Sequence, residues 1–60
     1  MFKEYDVVVS KCNLDNVLIG SKGTVLIAYD KNHYEVEFID EKGDTLNVLT
    51  VSESDIQKWE

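Results

Sequence analysis

Arginine is absent from this 60-residue chain, and its six lysines face twelve aspartates and glutamates, for a formal net charge of −6. Nucleic-acid binding draws its affinity from cationic side chains that displace counterions from phosphates. The chain's overall field repels a polyanion instead, so no nucleic-acid partner is expected. There is one cysteine, Cys12, which excludes an internal disulfide and fits a reducing compartment. No apolar run is long enough to span a bilayer. The opening Met1-Phe2-Lys3-Glu4-Tyr5-Asp6 carries acids where a secretory signal needs a basic start and an apolar stretch. The expected location is cytoplasmic, with no membrane partner. There is a single histidine, His33, and a catalytic triad or a metal site needs further ligands or an orienting group around it.

The length leaves room for one domain, residues 1–60. A chain this short buries only about 60% of the surface that its unfolded form exposes. Its core supplies only about 3–5 kcal/mol, which argues against an enzyme that must enclose a substrate. No catalytic residue, cofactor or metal is expected.

What is present is β-forming. Tyr5 to Ser10 has the β-branched run of a strand. Lys11 to Gly23 holds Asn13, Asp15, Asn16, Gly20 and Gly23, and reads as a long loop with Leu14, Val17 and Ile19 tucked inward. Gly20 and Gly23 are expected to supply backbone angles closed to other residues. Thr24 to Tyr29 is a second strand, and Asp30-Lys31-Asn32 a hairpin connection. From His33 to Ile39, Tyr34, Val36 and Phe38 alternate with His33, Glu35 and Glu37, which places the first set in the core and the second in solvent. Asp40 to Asp44 forms the next turn, with Gly43 left-handed, and Thr45 to Val51 is the fourth strand. Ser52 with Asp55 three positions on resembles a helix start. Too few residues follow for a stable helix, so the expectation is one 3₁₀ turn and a short fifth strand, Ile56 to Trp59. The competing reading is a C-terminal helical turn. The set describes an all-β, five-stranded, SH3-like barrel, whose closure protects the sheet edges.

The segments Met1-Phe2-Lys3-Glu4-Tyr5-Asp6-Val7-Val8, Gly20-x-x-Gly23-Thr24-Val25, Tyr34-Glu35-Val36-Glu37-Phe38 and Leu49-Thr50-Val51 with Asp55-Ile56 run across almost the whole chain. With them the chain resembles a family of small bacterial SH3-like domains of uncharacterised function. The resemblance implies an SH3-like barrel and an interaction role, and toxin-like proteins as partners of some relatives. Two positions depart from the pattern: the loop Asn13-Leu14-Asp15-Asn16 lacks a proline, and Ile27 stands where a polar residue is expected.

The chemistry-bearing residues have plain structural readings beside the functional ones. Cys12 adjoins Lys11, a cation that favours a thiolate, but no base accompanies it, and a small packed thiol is the simpler reading. Glu35 and Glu37 lie about 6–7 Å apart along a strand. They either keep the sheet from stacking or meet a partner. Asp40, Glu41 and Asp44 crowd one turn, and their spacing does not match a calcium loop. Tyr5, Tyr29, Tyr34 and Trp59 fall in or beside strands, away from the loop positions of a peptide-reading groove, and Trp59 reads as a core plug. Val25 with Ile27 and Leu26 with Ala28 alternate equally well as the inward set of the second strand. Ile27 therefore either packs under the long loop or joins Glu35 and Glu37 on one exposed face.

The reading that follows is a non-enzymatic protein-binding module. Its sharpest form is an immunity protein or antitoxin that neutralises a basic toxin, steered by complementary charge. The partner-binding residues would be Ile27, Glu35, Glu37, Asp40, Glu41 and Asp44. The alternative is an accessory barrel that assists an enzyme or larger complex through β-strand addition or its loops. The oligomeric state is not legible in the sequence.

Overall fold

The alternation at His33–Ile39 organises the structure, a computed structural model that describes residues 1–60. Tyr34, Val36 and Phe38 are fully buried, and the glutamates between them are half-buried on the opposite face. This is the third of five strands along the chain: β1 (Val7–Ser10), β2 (Lys22–Ala28), β3 (His33–Ile39), β4 (Thr45–Ser52) and β5 (Ile56–Lys58), with a 3₁₀ turn, Glu53–Asp55, before the last. The chain is all-β. The strands form one antiparallel sheet in the order β4-β3-β2-β1-β5. No ladder joins β4 to β5, so the sheet has two edges, linked by the 3₁₀ turn. The Ser52 N–H donates to the Asp55 carboxylate at 3.0 Å and fixes that turn, as the serine–acid spacing suggested.

The core consists of Val8, Val17, Val25, Tyr34, Val36, Phe38, Val51 and Ile56, with Phe2, Leu14 and Leu49 packed against it. Val17 reaches it from the long loop, where Leu14 and Val17 pair across Asp15-Asn16 and Asp15 takes a left-handed backbone, φ 36°. Ile19 departs from expectation. It is 63% exposed and Leu18 69%, because the loop turns outward once Val17 is seated.

The strand boundaries differ where local chemistry overrides propensity. β1 starts at Val7 rather than Tyr5, since Lys3 to Asp6 close a turn in which the Lys3 N–H donates to the Asp6 carboxylate at 2.9 Å and Tyr5 takes φ 72°. β2 starts at Lys22, before the expected Thr24. Gly20 and Gly43 do have positive φ, 89° and 90°, whereas Gly23 is a strand residue lying against Val36 and Phe38. Trp59 is no core plug: it lies beyond β5, 50% exposed, with the Lys22 ammonium 4.1 Å from its ring centroid. Ile56 fills the core in its place.

Candidate protein-binding face

A bulge in β2 decides which way Ile27 points. Val25 pairs with Val36, yet Ile27 pairs with Glu35, so the register slips by one at Leu26. Val25 therefore faces the core, and Ile27, two residues on, faces out with 40% of its surface exposed. Neither simple alternation describes this strand.

The cross-strand pairs extend that face. Glu35 lies between Ile27 on β2 and Thr50 on β4, and Glu37 lies between Thr24 and Val48. Val48 is 42% exposed. Each glutamate accepts one hydroxyl: Tyr29 O–H donates to Glu35 Oε1 at 2.7 Å, and Thr45 Oγ1 donates to Glu37 Oε2 at 2.5 Å. The hydrogen bond to Glu35 raises the Tyr29 phenol above its ordinary pKa, which keeps the proton on tyrosine. Neither carboxylate is paired with a cation. The only ion pairs join Lys58 to Asp6 and the N-terminus to Glu53, and His33 is in hydrogen-bond contact with Asp30. The face thus presents Ile27, Tyr29 and Val48 around two carboxylates, each with an oxygen to spare.

The acidic turn divides into two roles. Asp40 is committed to its own hairpin, where Oδ1 accepts the N–H groups of Lys42 at 2.8 Å and Asp44 at 3.0 Å. Glu41 and Asp44 are exposed and form no ion pair. Behind this hairpin an open groove of about 830 Å³ runs between Leu18 and Ile19 of the long loop and Ile39, Asp40 and Leu46. Ile19 reads from the sequence as an inward anchor of the loop, and no pattern in the sequence marks Leu18 as a surface residue.

The other candidates keep structural roles. His33 Nδ1 lies 3.0 Å from Asp30 Oδ1. Hydrogen bonds from the Asn32 backbone and from His33 hold Asp30 below the usual carboxylate pKa. The Cys12 thiol points at Asp55 Oδ1, 3.7 Å away. Desolvation and the Asp55 charge push it up, against the pull of Lys11, so the thiolate that Lys11 alone would favour is disfavoured. Tyr34 is buried and cannot join an aromatic groove, although Tyr5, Tyr29 and Trp59 are exposed. No three His, Cys, Asp or Glu side chains converge as metal ligands, and no helix is long and apolar enough to cross a membrane.

A family model matches the chain over residues 4–58, that of a domain of unknown function, DUF4926. No curated protein and no solved structure matches.

Proposed function

The chain belongs to the DUF4926 family, a domain of unknown function, and we propose that it is a non-enzymatic module that binds a basic protein through the outer face of β2, β3 and β4. The observation that carries this is the pair Glu35 and Glu37, half-buried and without a cation, beside exposed Ile27 and Val48. Exposed apolar side chains that flank unpaired carboxylates offer a partner both apolar contact and a charge to complement. The net charge of −6 steers a cationic partner to it. Glu41 and Asp44 extend the acidic field at the hairpin tip. In its sharpest form the module is a cytoplasmic immunity protein or antitoxin that covers a basic toxin.

The strand order, the β1–β5 pairing and the 3₁₀ turn between the edge strands support an SH3-like barrel as the architecture. An accessory barrel within a larger complex is the second reading. The groove between Leu18, Ile19 and Leu46 favours it, as an additional apolar seat away from the glutamates.

Affinity capture from the source organism, with the wild type and a Glu35→Lys/Glu37→Lys variant side by side, tests the main reading. The wild type retains a basic protein at low salt and the variant loses it. Their melting curves agree within about 0.5 kcal/mol, the usual limit for surface substitutions. Equal retention by both places the site elsewhere. If the captured protein arrests growth when expressed alone, and this chain relieves the arrest, the immunity form stands. No arrest removes it and leaves the accessory form.

A further inference from the structure

The two edges of the sheet are unequally protected. β5 is three residues long and carries Lys58, the short and charged design that resists pairing with foreign strands. β4 is eight residues long, Thr45 to Ser52, and contains neither charge nor proline. Its backbone parity follows from two hydrogen bonds. The Glu53 N–H donates to the Asn32 carbonyl at 2.8 Å, and the His33 carbonyl is taken by Tyr29 on the β2 side. In an antiparallel ladder bonded pairs alternate. Asn47, Leu49 and Val51 therefore bond to β3, and Val48 and Thr50 turn their backbone groups to the open edge. A bulge at Leu46 limits this edge at one end, and the Asp55 carboxylate, which takes the Ser52 N–H, limits it at the other. Between them the Asn47 side chain accepts the Val48 N–H at 2.9 Å, standing where the carbonyl of an added strand would stand.

We infer that the β4 edge from Asn47 to Val51 receives, by strand addition, an extended segment of the partner with lysine or arginine at alternate positions. This rests on the reading of the outer face as the partner site and names how that face is reached. An added strand lies about 10 Å from β3, two strand spacings away. Its outward side chains cross Val48 and Thr50, which are uncharged, and meet Glu37 and Glu35 beyond them. A lysine or arginine together with a glutamate closes that distance. A second copy of this chain is the poorer occupant. Its own β4 brings no cation, and the pairing would set two chains of charge −6 edge to edge. Main-chain bonds give such complexes affinity and alternate side chains give them specificity.

The test uses a seven-residue, end-blocked peptide of alternating lysine and valine, titrated into the ¹⁵N-labelled protein at low salt. The expected result is movement of the Val48 and Thr50 amides. Val48→Pro removes one edge N–H without touching the β3 ladder, a position where proline is tolerated. It should weaken binding about tenfold, the scale of one or two hydrogen bonds, and more than Val48→Ala, which trims the same side chain and keeps the N–H. A peptide methylated at alternate backbone nitrogens should lose the same amount with the protein unaltered, which covers the case of a poorly folding proline variant. Asn47→Ala, which uncaps the edge, should bind severalfold tighter. Binding that survives both Val48→Pro and methylation but is lost in Glu35→Lys/Glu37→Lys overturns strand addition and keeps the face. Absence of peptide binding also overturns it, and the capture experiment then judges the face by itself. A dimer of the free protein that Val48→Pro dissolves overturns the choice of occupant.

Discussion

The hydroxyl of Tyr34 joins three parts of the chain. Buried with its ring in the core, it donates to the Lys31 carbonyl at 2.9 Å and accepts the Phe2 N–H at 3.1 Å, while the Phe2 ring packs edge-on at 5.3 Å. The N-terminal segment is thereby anchored to the β2–β3 hairpin. Tyr34→Phe keeps the packing volume and leaves the Phe2 N–H and the Lys31 carbonyl without their partner. The expected cost is about 1–3 kcal/mol in a urea melt, with the Phe2 amide shifted in the NMR spectrum. A loss below about 0.5 kcal/mol, the range of an ordinary surface substitution, would mean that water replaces the phenol at no cost. Alternation at His33–Ile39 puts Tyr34 in the core. It carries no signal for where the phenol oxygen finds partners, because one of them, Phe2, lies 32 positions away.

Among the strands, β2 shows how a single residue type fixes an approach distance. A Cβ on Gly23 would stand 2.7 Å from Val36 Cγ1, 2.9 Å from Phe38 Cδ1 and 3.0 Å from the Glu37 carbonyl. Two of these neighbours are fully buried side chains with nowhere to turn. Gly23→Ala should therefore cost about 1–3 kcal/mol, measured by denaturant unfolding. An unchanged midpoint would show that β2 and β3 can separate locally. The same strand marks the limit of what the sequence discloses. A regular period makes β3 legible to the residue, and the serine–acid spacing makes the 3₁₀ turn legible. The bulge at Leu26 breaks the period of β2, so Ile27 could be assigned to either face until the register was known. Of the candidate site, the companionship of Ile27 with Glu35 was thus one of two open readings. The division of the acidic turn, with Asp40 bound to its own backbone, depends on hairpin geometry that composition does not encode. The same holds for the β4 edge, which is defined by a ladder that stops.

At the scale of the whole molecule, an excess of acid is left largely unpaired inside the chain, with Lys58 the only lysine in an ion pair, 3.8 Å from Asp6. Such a surface is suited to a partner that brings the cations. The order of the sheet has a separate, kinetic consequence. β2, β3 and β4 succeed one another through short turns, whereas β1 is completed by β5, the strand farthest from it in the chain, with Ser10 opposite Ile56. Pairings that close long loops carry their entropy cost before any contact compensates it. The β1–β5 seam is thus expected to form after the transition state, with the hairpins already in place. Ile56→Val, at a cost of about 0.5–1.5 kcal/mol, should then speed unfolding and leave the refolding rate nearly constant in stopped-flow measurements. Slower refolding instead would mean that the seam closes early, and that the domain starts to assemble by bringing its two ends together.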